Sequence, residues 1–535
     1  MRLQKFKINA LLSCTILLFV FHTMGCGGSG GSSLATSVTV SGAVTFDFVP
    51  ADKVSGLLYT NTSKKPARRV LVEAISDSSV LASTSTNDAG GYSVSVPINT
   101  IIKIRVKAQM LKTDSPSWDF QVVDNTNSKA LYTMDSAPFD TGGVNISGKD
   151  LNASSGWGGT GYTATRAAAP FSILDTVFKA VEKIKSAAPA VTMPQLLINW
   201  SINNRPKIGD PSAGEIDTSH YDPTENQIYI LGKENVDTDE FDHHVVAHEW
   251  GHYFEANFSR SDSLGNDHGP GEKLDPRVAF SEGFGNAFSG MAIEDPNYVD
   301  TMGAKQGTIR VYMNLSDING DPASIGWFSE DSVQYILYAL YSSNMGFNPI
   351  YDVLVNGQKT ASSFTTIYSF ISFLKANNPA YLTTIDNLLT AKNITTTAID
   401  EWDSTATEAN NGGNANTLPV YNKLIAGAAP FQICVDDKFG IPNKLKNRSF
   451  IYFEIASNGN YTIHADVVTV GGVPNIRLTS KGQDVDSANN STTGPASLTE
   501  TLTPGIYVGE VYDYRHLSTN HTSITGEVCF NVKLY

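Results

Sequence analysis

Positive charge is scarce in this sequence and nowhere concentrated. Lys and Arg number 38 against 53 Asp and Glu, and the formal net charge is −15. No Lys/Arg-rich block follows the N-terminus. The basic footprint that phosphate binding requires is therefore missing, which argues against nucleic acid as a partner. Long apolar runs are absent too: beyond the N-terminus no stretch reaches the length that spans a bilayer. Cysteine is limited to Cys14, Cys26, Cys434 and Cys529. What is present is ordinary for a core-forming chain, with 41% hydrophobic and 17% charged residues. The 535 residues suffice for about three domains at roughly 150 residues each.

Residues 1–26 have the layout of a secretory signal. Arg2, Lys5 and Lys7 form a basic start, and Ile8 to Phe21 an apolar stretch broken by Asn9 and Ser13. Thr23-Met24-Gly25-Cys26 closes it. This resembles a bacterial lipoprotein signal, in which a Cys after a small residue is acylated and becomes the mature N-terminus. Thr23 departs from the Leu usual in such signals. The resemblance implies a lipid on Cys26 that anchors the chain to a membrane, with the outer membrane or cell surface of a Gram-negative bacterium as the expected place. Gly27 to Ser33 then reads as a flexible tether, the segment 27–37 preceding the first strand. A plain cleaved signal or a short membrane anchor fits the same residues. With Cys14 and Cys26 set aside, Cys434 and Cys529 remain. In an oxidising compartment such a pair reads as a disulfide, the other reading being two buried thiols.

Residues 38–148 read as all-β. Val38 to Phe46 alternates at period two, Arg69 to Ile75 is a second strand, and Asn87-Asp88-Ala89-Gly90-Gly91 is a turn leading into Tyr92 to Pro97. Ile101 to Ala108 is a further strand. The order of Ser-Gly-x-Val, a Pro-then-Val strand and an Asp-x-Gly-Gly-Tyr hairpin resembles the carboxypeptidase regulatory-like domains, small transthyretin-like β-sandwiches. Residues 149–169 read as a linker into a helix opened by Pro170. Leu196 to Trp200 and Gln227 to Leu231 read as strands. Helical patterns follow at Ala279–Ile293, Ser332–Tyr341, Ser363–Ala376 and Leu382–Ala391. Residues 404–429 read as a second linker, and 430–535 as a C-terminal β-sandwich.

Six of the ten His fall between residues 220 and 268. Among them lies Val245-Val246-Ala247-His248-Glu249-Trp250-Gly251-His252. Two His four apart share one helix face and can reach one metal at the distance zinc requires, other divalent metals suiting the same kind of donors. Glu249, next to the first ligand but off its axis, is placed to deprotonate a water beside the metal. Asp237 or Thr238 can cap this helix. A third ligand is needed. The metzincin position six residues after His252 is Phe258, so that pattern fails. Ala279-Phe280-Ser281-Glu282-Gly283-Phe284-Gly285-Asn286 supplies a Glu on a following helix instead. This arrangement resembles the gluzincin peptidases, the thermolysin-like and fungalysin-like families. It implies Glu282 as the third ligand and Asn286 as the partner of His248 behind the metal, where such families usually carry Asp.

Gln227 to Leu231 is the candidate edge strand for a bound peptide, an ordinary core strand being the bland reading. An oxyanion donor is also required. The resemblance implies a His from a later helix, but the comparable run, Gly326 to Ser332, offers none; His268, a Tyr such as Tyr335 or Tyr312, or a group the sequence does not reveal stay open. His243 and His244 read as structural. Asp317-Ile318-Asn319-Gly320-Asp321 is a calcium-like spacing without the rest of an EF-hand, and reads more readily as a solvated turn.

The expectation is thus a multidomain chain: an N-terminal β-sandwich, a central α+β, mainly helical zincin-like domain over 170–403, and a C-terminal β-sandwich. The resemblance implies a zinc metallopeptidase acting on protein or peptide. Two alternatives stay open: a non-catalytic surface adhesion lipoprotein with a degenerate peptidase fold, and a metal hydrolase with another substrate.

Overall fold

The computed structural model describes residues 36–319, 324–396, 399–402, 410–414, 416–517 and 526–535. The signal-like segment, Cys26 and most of the Gly/Ser tether lie outside the described residues. So do Gly320 and Asp321 of the calcium-like run. Among the described residues no helix is long and apolar enough to cross a membrane.

The strands used below are β1 (Ser37–Phe48), β2 (Val70–Ser76), β3 (Ser79–Ser85), β4 (Gly91–Pro97), β5 (Ile101–Lys112) and β6 (Trp118–Asp124). They continue as β7 (Leu196–Trp200), β8 (His220–Asp222), β9 (Gln227–Ile230), β10 (Asp237–Thr238), β11 (Asn297–Met302) and β12 (Thr308–Asn314). In the C-terminal part lie β13 (Phe431–Val435), β14 (Arg448–Ile455), β15 (Gly505–Asp513) and β16 (Val528–Leu534). Four helices matter to the site: α1 (Ala168–Ala187), α2 (His243–Phe258), α3 (Pro276–Ile293) and α4 (Glu330–Ser342).

The period-two patterns become strands for the expected reason. In β1, Val38, Val40, Val44 and Phe46 are buried while the residues between them face outward or sit at the margin. β1 pairs antiparallel with β4, the strand that the Asn87–Gly91 turn leads into. The larger sheet does not stop at the N-terminal segment. It is ten-stranded, and its main path runs β8-β9-β7-β6-β5-β2-β3. β7, from the central segment, lies parallel to β6, with Ile198 opposite Val122.

This overturns the expected architecture. The described chain is β-rich, 36% strand against 24% helix, with no mainly helical central domain. Central strands extend the N-terminal sheet, and one apolar core runs continuously from Val38 through α1, α2 and α3 to Val508. The reason is that hydrophobic periodicity reports which face of an element is buried, not which sheet it joins. Leu196 to Trp200 is buried on both faces, the mark of an interior strand. α1 is buried nearly all round because the sheet lies on one side and other helices on the other.

The C-terminal part does form two sheets, of five and four strands, around a core of its own that includes Ile433, Phe453, Val511 and Phe530. Cys434 and Cys529 face each other on β13 and β16 and form a disulfide, which removes the free-thiol reading.

Candidate metal centre

α2 begins directly after Asp242 and carries the motif His residues on one face. The expected caps are elsewhere: Asp237 and Thr238 form β10, and the N-cap position belongs to Asp242, whose side chain bonds the β11 backbone at Thr301 instead. α3 packs against α2. It begins at Pro276, with the side chain of Asp275 accepting from the Arg277 amide. Two of its glycines are explained by close approach. A Cβ at Gly285 would lie 2.8 Å from the His248 ring, and one at Gly283 would lie 2.6 Å from Val333 of α4. Each glycine costs helix stability, about 1 kcal/mol relative to Ala, and this is offset by bringing α3 close to the His248 imidazole and to α4.

The structure brings His248, His252 and Glu282 together. Their donor atoms lie within 4.8 Å of one another. His248 Nε2 is 2.9 Å from His252 Nε2, and Glu282 Oε2 is 3.2 Å and 3.3 Å from the two. The far nitrogens are used elsewhere. His248 Nδ1 donates to Asn286 Oδ1 at 2.8 Å, and His252 Nδ1 faces Ser281 Oγ at 3.3 Å and Glu255 Oε2 at 3.7 Å. Two ring nitrogens therefore face each other, an arrangement that a proton on one ring or an ion between the two would relieve. The two distances to Glu282 approach the ~3.3–3.6 Å edges of a tetrahedron about an ion at ~2.0–2.2 Å, and the His248–His252 separation is shorter than such an edge. The donor set, two imidazole nitrogens and one carboxylate oxygen, suits zinc.

These residues line a cleft of about 840 Å³, together with Glu249, His268, Asn286 and Tyr298. Glu249 is buried, and its Oε2 accepts from the Tyr221 backbone amide at 2.9 Å. His268 bridges two carboxylates, with Nε2 3.1 Å from Glu282 and Nδ1 2.9 Å from Glu330. Burial disfavours its charged form, but Glu282 and Glu330 outweigh that and push its pKa up to about 11.

His243 and His244 point away from the cleft. His243 bonds Thr176 Oγ1 and stacks on Phe48, and His244 bonds the Asp295 carbonyl; burial lowers the pKa of both. Neither Tyr335 nor Tyr312 is among the cleft-lining residues; Tyr312 is bonded to Asn297. β9 is not an edge strand, because β8 covers it, and the described sheet ends at β8. Asp317 closes a local turn by accepting from the Asn319 amide.

Sequence reasoning missed Glu255, Ser281, Glu330 and Tyr298. Glu255 was accessible, lying three residues after His252 on the same helix face. Ser281 precedes Glu282, and Glu330 lies in the run Gly326 to Ser332, which offers no His. Tyr298 had no local signal: it reaches the cleft through β11, whose place depends on pairing with β12 and β10.

No protein-family model matches the chain, and no curated protein matches it. Solved structures give partial likenesses. The pre-peptidase C-terminal domain of a collagenase from Bacillus anthracis is 15% identical, covering 22% of this chain and 94% of its own, with a TM-score of 0.16. A periplasmic inhibitor of g-type lysozyme, PliG from Aeromonas hydrophila, is 10% identical over 21% of this chain and 97% of its own, with a TM-score of 0.14. A 9R-lipoxygenase from Cyanothece PCC8801 is 8% identical over 32% of this chain and 27% of its own, also at 0.14. Scores this low carry no argument about fold or function.

Proposed function

We propose that the chain is a zinc-dependent hydrolase of peptide bonds, a metallopeptidase resembling the gluzincins, exported and anchored through a lipid on Cys26. The observation that supports this most is the convergence of His248, His252 and Glu282 in an open cleft, with the Glu249 carboxylate beside them. An ion held by the three would supply Lewis acidity for the scissile carbonyl. Glu249 would take the proton of the attacking water and hand it to the leaving amine, its carboxylate steadied by the Tyr221 amide. Asn286 and the Glu255–Ser281 pair would fix the two imidazoles. His268, anchored by Glu330, and Tyr298 are the donors available to a developing oxyanion. A peptide added along β8, rather than β9, would lie next to Glu249.

The adhesion reading is less favoured, because a domain kept only for its shape has no use for a buried carboxylate aimed into the cleft. The deciding measurement is zinc content and casein cleavage for the parent and for Glu249→Gln. The expected outcome is one zinc per chain in both, with cleavage lost only in the variant. A parent that holds zinc but cleaves nothing would sink the peptidase proposal.

A further inference from the structure

A second group of possible ligands lies beside the same cleft, which two of its three members line, and contains no nitrogen. Asp237 on β10, Asp239 just after it, and Asp300 on β11 each offer an oxygen within 4.8 Å of the others. All three are buried, with 3%, 1% and 8% of their surface exposed. Asp242, fully buried, stands nearby, and burial together with Asp300 pushes its carboxyl well above the usual range. Against these carboxylates there is one guanidinium. Arg310 Nη1 lies 3.0 Å from Asp237 Oδ2, and its Nε 3.8 Å from Asp300 Oδ2.

One cation shared by two carboxylates leaves the cluster short of positive charge. It also leaves ligand atoms idle. The Oδ1 atoms of Asp237, Asp239 and Asp300 are buried without a partner, as is the hydroxyl of Thr238 between the first two. Buried oxygens of this kind cost free energy unless something binds them. Protons could restore the balance. So could an ion.

We propose that Asp237, Asp239 and Asp300 form a second cation site that takes a hard divalent ion of the calcium class. The donors are all oxygen, which disfavours zinc. Oxygens up to 4.8 Å apart fit on opposite sides of an ion that binds at about 2.3–2.6 Å. Asp239 and Asp300 line the open cleft, so an ion has a way in and water can complete its shell. The site is separate from the calcium-like run at Asp317 and does not depend on the peptidase reading. An ion there would join β10 to β11 immediately before α2, the helix that bears His248 and Glu249. It would also hold the strand that carries Tyr298, two residues from Asp300.

The test is equilibrium dialysis of the purified full chain, reloaded with zinc, against radioactive calcium, with thermal unfolding followed in parallel. One calcium per chain is expected. The midpoint should rise by roughly 3–8 °C at calcium well above its dissociation constant. Asp239→Asn and Asp300→Asn should each lose the bound calcium and the thermal response while keeping zinc. If one fails to fold, the other still decides. Arg310→Gln removes the competing charge and should tighten calcium by about tenfold. The proposal is overturned if the parent binds no calcium at millimolar concentration, or if Asp300→Asn binds it as the parent does. In either case the carboxylates balance their charge with protons.

Discussion

Glu510 ties the C-terminal sheets to the candidate metal centre, and removing its charge should cost a measurable part of the stability. It lies on β15 and is 1% exposed. Its carboxylate meets Arg277 at 2.8 Å, Arg477 at 2.7 Å and Arg448 at 3.1 Å. Arg277 stands in the first turn of α3, five residues before Glu282. Burial raises the Glu510 pKa, but the three guanidinium groups prevail and hold it down to about 2 from an ordinary 4.5. The gap corresponds to ~3.4 kcal/mol, at about 1.36 kcal/mol per tenfold. The loss on breaking a buried ion pair, typically ~3–5 kcal/mol, is of the same size. Because the folded pKa is depressed, the contribution is complete above pH 4.5 and is lost as pH falls through about 2. About 1.4 kcal/mol of it should remain at pH 3. Urea unfolding of the parent and Glu510→Gln at pH 7 and pH 3 measures this directly. The variant should be less stable by ~3 kcal/mol at pH 7, and by less than half of that at pH 3. A difference below about 0.5 kcal/mol at pH 7, or one that does not shrink in acid, would refute the reasoning.

Two further substitutions probe other parts of the argument. Gly285→Ala should displace the His248 ring and weaken zinc binding by about tenfold or more, read by competition with a chelator. Gly283→Ala, which meets Val333 instead, serves as its control by lowering the melting temperature with far less effect on zinc affinity. Replacing Cys434 and Cys529 by Ser opens a loop of 95 residues and should destabilise the C-terminal sheets by roughly 4 kcal/mol. Zinc content should be unchanged, since neither cysteine lines the cleft.

The local signals were strong where chemistry forces spacing. His248 and His252 had to share a helix face, and Glu282 stood out as a carboxylate on the next helix. Leu196–Trp200 was readable as a strand to the residue. Its partner was not, because pairing with β6 depends on contacts more than seventy residues away in sequence. The same limit hid β8, three residues long, whose presence turns β9 from an edge into an interior strand. The acidic cluster was hidden in the same way. Asp237 and Asp239 look like cap or loop residues until the β11 strand brings Asp300 alongside them.

The shared sheet has a consequence for how the molecule can be taken apart. A cut in the segment between β6 and α1 would leave β7 hydrogen-bonded to β6 along its length. The two pieces should stay together as a nicked whole. For the same reason, an excised fragment starting at residue 170 would expose the flank of β7 to solvent and carry an unfinished core. Release of the cleft by proteolytic trimming, or its transplantation as a free-standing module, is therefore closed to this architecture unless the first strands travel with it.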